Sequence, residues 1–226
     1  AGVGAVPLGM KSAQVLAPLS EDPRRLEKAA EFWDGFAGQV EGGTYDWFLD
    51  PRDLIGPLRE AIPPPGGLEA GAPCPRILIV GCGVSTLPLL LSDAGYRSVT
   101  GTDISPVCIA TMAEKARGTH PGVVWAVADA LDHEGHAEGA YDVIIDKATS
   151  DTFQFRYRTA EYRALLQAMF KEMARLLAPG GVFVVVTPKP RPWGLRSPAL
   201  PWRVERPVQL GGVEKLHEWR GEVVYM

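Results

Sequence analysis

Residues 77–86 read ILIVGCGVST, from Ile77 to Thr86. Four apolar residues run straight into Gly81-Cys82-Gly83, the pattern of a strand buried on both faces that ends in a turn without room for side chains. Nucleotides, dinucleotides and plain tight turns all use such glycines, so the flanking chain has to choose. A dinucleotide fingerprint places a third glycine at position 86, where this chain has Thr86; a Walker loop would continue into Gly-Lys-Ser/Thr, which is absent. The turn therefore reads as a seat for a nucleoside, against the plainer alternative of a strand-to-helix connection.

Outward from this turn, strands and helices alternate. RILIV is a strand and TLPLLLSDAG a helix ending at Gly95. SVTGTD is a strand, followed by a helix over SPVCIATMAEKAR with Ser105 as N-cap and Pro106 at its first position. VVWAVA and YDVIID are strands. TAEYRALLQAMFKEMARLLAPGG reads as a helix closed by Pro179 and Gly180, and GVFVVVTP as a further strand. Extended segments around Trp202–Val208 and Gly221–Tyr225 have no helix between them, which predicts an antiparallel C-terminal hairpin. Upstream, Leu26, Ala29, Ala30, Trp33 and Phe36 share one helical face, and DPRDLIGPLREAI is a second helix. The organisation expected is an N-terminal helical segment or lid (1–62), a Pro/Gly-rich linker (63–75) and an α/β core (76–226), forming one domain with a mostly parallel sheet covered by helices on both faces.

Bulk properties bound the function. The chain has 226 residues, 46% of them hydrophobic and 22% charged, with a net charge of −4. That balance argues against general affinity for nucleic acid or anionic membrane. Cys74, Cys82 and Cys108 form an odd, sparse set that suits reduced thiols in the cytoplasm. No apolar run approaches 18 residues. No basic segment precedes the apolar AGVGAVPLGMK, so no signal peptide is expected, and a start at Ala1 rather than Met suggests a processed or trimmed terminus. His120, His133, His136 and His217 lack zinc-ligand spacing, and nothing marks Cys82 or Cys108 as a nucleophile.

In a doubly wound sheet, ligands bind at the carboxyl ends of the strands. Three of those ends carry suitable groups. Asp103, about 20 residues beyond the glycine turn, is placed to accept hydrogen bonds from both ribose hydroxyls. Asp129 can accept from an exocyclic adenine amine while the Ala130 backbone meets the ring edge; an ordinary turn aspartate is the alternative. Asp146 and Lys147 emerge at the fourth strand end, with a solvated charge pair as the alternative. The tetrapeptide Asn/Asp-Pro-Pro-Tyr of amide- and adenine-directed methyl transfer is absent there.

Together the glycine turn, Asp103, Asp129 and LLAPGG resemble class I S-adenosylmethionine-dependent methyltransferases. EFWDGFAGQVEGGTYDWF, ILIVGCGVSTL and IIDKATSDTF are similar to three elements of the eukaryotic lysine methyltransferases that act on translation elongation factor 1-alpha. The resemblance, over about residues 28–226, implies a Rossmann-like seven-stranded methyltransferase fold. It implies a site for S-adenosylmethionine, with S-adenosylhomocysteine as product. Trp33 and Trp47 would pack over the cofactor, and Gly81, Cys82 and Gly83 would lie beneath it. Asp103 and Ile104 would hold ribose and adenine, Asp129 and Ala130 the adenine edge, and Lys147 the methionine end. The implied partner is a protein substrate of the elongation-factor type. Val84, Ala37, Ala148, Ser150 and Thr152 depart from the group's pattern, the last three in the segment that would face the acceptor. A small-molecule methyltransferase is the alternative, and a non-catalytic cofactor-binding partner protein a third reading. Asp146 or Asp151 would orient an acceptor amine or pass its proton to water. The proline-rich basic loop 187–202, carrying Lys189, Arg191 and Arg196, reads either as a dock for an acidic protein surface or as a solvated connection beyond the fifth strand.

Overall fold

The computed structural model describes residues 25–66, 73–153, 160–187, 208–209 and 222–224. Two helices come first, α1 (Arg25–Ala37) and α2 (Pro51–Ala61). Then follow β1 (Arg76–Val80), α3 (Leu87–Asp93), β2 (Ser98–Asp103), α4 (Pro106–Ala116) and β3 (Val123–Val127). The chain continues through β4 (Tyr141–Lys147), the single-turn α5 (Thr149–Thr152), α6 (Ala160–Leu176) and β5 (Leu177–Thr187). The five strands pair in parallel in the order β3-β2-β1-β4-β5. At the outer edge of β5, the short pieces β6 (Val208–Gln209) and β7 (Glu222–Val224) pair antiparallel, β7 with β5 and β6 with β7. The docking loop expected over 187–202 lies, beyond Thr187, outside the described residues, as does most of the flanking sequence of the two terminal pieces.

The apolar runs do what burial on both faces requires. Odd-numbered Ile77, Ile79, Val143 and Ile145 point to one face, with Leu54 and Leu58 of α2, Leu87 and Leu91 of α3 and Ile109 of α4. Leu78, Val80, Ile144, Phe183 and Val185 point to the other, against Leu166, Met169, Phe170 and Met173 of α6. A third cluster, with Ala37, Val84, Leu89, Cys108 and Met112, joins the end of α1 to α3 and α4. Each fully buried aliphatic or aromatic side chain contributes about 1.5–3 kcal/mol, so the sheet has no need of disulfide or metal.

Local chemistry sets the helix starts. The Asp50 side chain accepts from Arg52 N and caps α2, whose Pro51 fits the first turn. Ser105 caps α4 as expected, its hydroxyl accepting from Cys108 N at 3.0 Å. One boundary differs from expectation. α6 stops at Leu176, and Leu177-Ala178-Pro179-Gly180-Gly181 belongs to β5 rather than to the helix end. Leu177 already pairs with Tyr141, after which a register shift absorbs the extra residues before Val182 pairs with Val143. Gly180 takes φ 78° within this bulge, and a Cβ on Gly181 would lie 2.8 Å from the Asp142 carbonyl oxygen. No described helix is long and apolar enough to cross a membrane.

Candidate functional site

The register brings the strand ends into one line. Val80 is level with Thr102 and Asp146, Asp103 with Val127, and Lys147 with Val186. The strand order reverses between β1 and β4, so a crevice opens above the turn after β1. That turn is glycine for two reasons. Gly81 (φ 59°) and Gly83 (φ 52°) take left-handed backbone, and a Cβ on Gly81 would lie 2.2 Å from Thr149 Oγ1. Gly101 in β2 makes similar room, since a Cβ there would meet Trp125 at 2.9 Å and Cys82 Sγ at 3.2 Å.

Asp103 ties the crevice walls together. Its carboxylate accepts from Gly83 N at 2.8 Å and from Ser105 N at 2.9 Å. Burial pushes its carboxyl up from the usual carboxylate range, against the amide bonds from Ser105 and Gly83 that favour the charge. At the β3 end, Asp129 accepts from Leu131 N at 3.1 Å, so it organises its own turn while bordering the crevice. At the β4 end, Asp146 accepts from Thr149 N (2.9 Å) and Ser150 N (3.1 Å) and so sets the start of α5. Ala148, between them, takes a left-handed φ of 74°. Asp151 accepts from Thr187 Oγ1 at 3.1 Å. Neither Asp146 nor Asp151 is among the residues lining the crevice. Both carboxylates help to hold α5 to the sheet, Asp146 through the Thr149 and Ser150 amides and Asp151 through Thr187.

The N-terminal segment closes the crevice from above, and two aspartates hold it there. Asp34 on α1 accepts from Ser105 Oγ at 2.5 Å and from Val107 N at 3.2 Å, at the start of α4. Asp46 accepts from Ser85 Oγ and from Thr86 N at 3.3 Å, at the start of α3, and pairs with Lys147 Nζ at 3.0 Å. That pair is nearly dry, its side chains 13% and 5% exposed. Lys147 Nζ also donates to the Trp47 carbonyl at 3.3 Å. Carboxylates thus sit on both helix starts that flank the crevice. A dinucleotide's pyrophosphate uses the first of these starts, so an anion arriving there would meet Asp46. This is a stronger reason against a dinucleotide than the bulk of Thr86.

The aromatic residues of the same segment pack in series. Trp33 meets Phe36 edge-on at 5.9 Å, Phe36 stacks on Trp47 at 5.6 Å with planes 23° apart, and Tyr45 meets Trp47 edge-on at 5.1 Å. Tyr45 N donates to Val84 O at 3.1 Å, which fixes the segment to the glycine turn.

All ten residues expected to hold the cofactor line this one crevice: Trp33, Trp47, Gly81, Cys82, Gly83, Asp103, Ile104, Asp129, Ala130 and Lys147. Phe36, Tyr45, Ser85, Cys108, Thr149 and Phe153 line it too and were not singled out. Nor were Asp34 and Asp46, although both stand beside the tryptophans in EFWDGF and TYDWF. Burial pushes the Cys82 thiol well up and that of Cys108 to about 12, so both stay neutral and act as small apolar wall residues. Among the described residues no His, Cys, Asp and Glu gather into a metal site.

Comparison with known proteins bears on the same crevice. Residues 77–181 match the family described as Methyltransferase domain. A zebrafish (Danio rerio) protein named eEF1A lysine and N-terminal methyltransferase is 31% identical over 167 residues, 73% of this chain and 22% of that protein. The chain thus spans about a fifth of the length of the first curated relatives it matches. A bovine (Bos taurus) protein named EEF1A lysine methyltransferase 4 is 30% identical over 188 residues, 76% of this chain and 68% of its own length. Two solved structures share the fold. A protein whose structure is described under the conversion of a disulfide bond into a thioacetal group during echinomycin biosynthesis superposes with TM-score 0.62, 22% identity and coverage of 87% and 91%. A TehB-like S-adenosylmethionine-dependent methyltransferase from Corynebacterium glutamicum superposes with TM-score 0.53, 19% identity and coverage of 91% and 99%. With two thirds of the bovine protein matched at this identity, the chain belongs to the class I S-adenosylmethionine-dependent methyltransferases.

Proposed function

We propose that the protein binds S-adenosylmethionine in the crevice above β1 and β4 and methylates a lysine side chain of a protein substrate, with a translation elongation factor as the substrate type. The observation that carries this is the convergence of groups from four separate strand ends and the N-terminal segment on one crevice. The donor and acceptor set fits the cofactor. Asp103 offers a buried carboxylate for ribose hydroxyls, which form strong bonds to a charged acceptor. Ile104, Asp129 and Ala130 meet the adenine, Trp33 and Trp47 cover the ligand, and Gly81, Cys82 and Gly83 keep the floor low. Lys147, with Asp46 and the Trp47 carbonyl already in contact, faces the methionine carboxylate.

When bound, the cofactor supplies a methyl group on a sulfonium, whose leaving group is a neutral thioether. The chain's own residues position the acceptor and exclude water, which is where most of the rate of a bimolecular displacement is gained. An acceptor amine has to be neutral to attack. The largely apolar walls lower its pKa by desolvation, so part of the amine is unprotonated without a dedicated base. The names of the zebrafish and bovine relatives support elongation factor 1A as the substrate type. Three free cysteines among the described residues support a reducing, cytoplasmic setting. Residues 1–62 act as the lid, 63–75 as the linker and 76–226 as the core. The two terminal strand pieces belong to an antiparallel hairpin that completes a seven-stranded sheet.

One incubation tests the reading. The protein is mixed with methyl-labelled S-adenosylmethionine and a lysate, and label is sought in protein bands and in extractable small molecules. Label on lysine in a band of elongation-factor mass is the expected result. Label confined to a small molecule overturns the protein substrate in favour of the small-molecule alternative, for which Thr152 at the crevice and the altered α5 segment speak.

A further inference from the structure

We propose that Glu172 and Arg175, on α6 and outside the crevice, are positioning residues for the adenine of the cofactor. They hold the β3–β4 loop from behind and thereby set how strictly adenine is preferred to a base with its donors and acceptors exchanged. The inference rests on the reading of Asp129 and Ala130 as the adenine edge and extends it to two residues that touch no ligand.

The loop opens with a turn that is pinned at both ends. At its start, Ala128 N donates to the Asp103 carbonyl at 3.0 Å. Asp129 closes the turn, its side chain accepting from Leu131 N at 3.1 Å and its carbonyl from Asp132 N at 3.0 Å. His133, the next residue, fastens the far end. Its N–H donates to Glu172 Oε1 at 2.9 Å, its carbonyl accepts from Arg175 Nη2 at 3.4 Å, and its buried ring bonds Thr102 Oγ1 at 3.1 Å. Arg175 also reaches further along the loop. It donates through Nη1 to the His136 carbonyl at 2.8 Å, while its own carbonyl accepts from Gly139 N at 2.9 Å.

The clamp is itself braced. Arg175 Nε meets Glu172 Oε2 at 2.9 Å and Nη2 meets Oε1 at 2.6 Å, a two-pronged pair with little freedom. Neither residue lines the crevice, whereas Ala128, Asp129 and Ala130 do. Ala130 and Leu131 also pack against the apolar cluster that α6 shares with the sheet. Apolar contact and polar clamp together fix where the turn stands.

Base preference depends on that fixity. Adenine offers an exocyclic amine to a carboxylate and a ring acceptor to a main-chain N–H. Hypoxanthine offers a carbonyl and a ring N–H at the same places, so both contacts become mismatched, and mismatched polar groups in a dry site are costly. The penalty is felt in full only when the reading groups are held to within about 0.5 Å. A turn released from α6 can retreat from the wrong base, and it gives up part of its bonds to the right one. The preference then shrinks from both sides.

The test is titration calorimetry of the full chain with S-adenosylhomocysteine and with S-inosylhomocysteine, which differ only in the base. The unsubstituted protein is expected to prefer the adenine ligand by about 100-fold. Glu172→Ala and Arg175→Met are expected to lower the ratio of the two Kd values by about 3- to 10-fold. Glu172→Gln keeps an oxygen for His133 N and is expected to keep more of the ratio than Glu172→Ala. A ratio unchanged in Glu172→Ala and Arg175→Met, whatever their loss of stability, would overturn the proposal, because the pair would then support the fold alone. Should either variant lose its folded circular dichroism, Arg175→Lys decides by the same ratio, since it keeps the charge beside Glu172 without the fork that reaches two carbonyls. If the unsubstituted protein binds both ligands equally, the adenine reading of Asp129 and Ala130 fails, and the proposal with it. If it gives no heat with either, the cofactor reading itself fails.

Discussion

Replacing Gly81 by alanine tests the geometry on which the crevice depends. Two separable penalties follow from the structure. At φ 59° an L-residue is left-handed, which costs about 1–2 kcal/mol. The added Cβ would also lie 2.2 Å from Thr149 Oγ1, 2.5 Å from its Cγ2 and 2.9 Å from its Cβ, all under the 3.0 Å that real Cβ contacts respect. Thr149 cannot simply turn aside. Its hydroxyl donates to the Val80 carbonyl at 2.7 Å, and its backbone N–H is held by Asp146 at 2.9 Å. Overpacking of this kind costs about 1–3 kcal/mol. The sum is about 2–5 kcal/mol, read by urea unfolding as a lower midpoint. For a chain of this size each kcal/mol lowers Tm by about 2–4 °C. Thr149→Ala alone loses one hydrogen bond, about 1 kcal/mol. In that background the 2.2 and 2.5 Å contacts are gone and the 2.9 Å contact with the remaining Cβ stays, so Gly81→Ala should cost the backbone strain plus a smaller clash, giving a coupling of about 1–2 kcal/mol in the double-mutant cycle. A Gly81→Ala loss under about 1 kcal/mol, or a cycle with no coupling, would refute the reasoning.

Three further perturbations probe other parts of the molecule. Asp46→Asn strips the buried Lys147 of its counter-charge and should destabilise the fold by about 3–5 kcal/mol, most of which Asp46→Asn with Lys147→Met should restore; chemical unfolding of both variants checks this. His133 is buried with its ring pulled down to about 4 by desolvation and by His136. The unfolded chain then takes up the proton first, so stability present above pH 6.5 falls by up to about 3 kcal/mol as pH drops from 6.5 towards 4. His133→Asn should flatten the slope of unfolding free energy between pH 6.5 and 5. Leu58→Ala, in a fully buried position far along α2, should cost about 2–5 kcal/mol of stability in a thermal melt while leaving cofactor affinity in calorimetry unchanged.

The parts of the molecule legible in the sequence are those whose cause is local. ILIV and FVVV announce strands covered on both sides, and Ser105-Pro106 announces a helix start, because the signal sits within a few residues. The end of α6 was misplaced for the opposite reason. Pro179 and Gly180 look like a helix stop, but the helix has already ended at Leu176, because Leu177 is claimed by Tyr141 across the sheet. The wall residues of the crevice could be named from strand ends and resemblance. What could not be named is what holds the wall up. Asp34 meets Ser105 from 71 positions away and Asp46 meets Ser85 from 39, and no periodicity links such pairs. For Asp146 and Asp151 too the acid is visible in the sequence, whereas its bonds to the α5 amides and Thr187 are not.

The two aspartate anchors also bear on how the chain is made. Synthesis delivers Asp34 first, yet its partner Ser105 leaves the ribosome only 71 residues later. Until the second βα unit exists, α1 lacks this anchor, and the segment is held only through Asp46 and Tyr45 at the end of β1 and the start of α3. Its full closure over the crevice therefore waits for the start of α4, and until then its aromatic rings lack part of their packing.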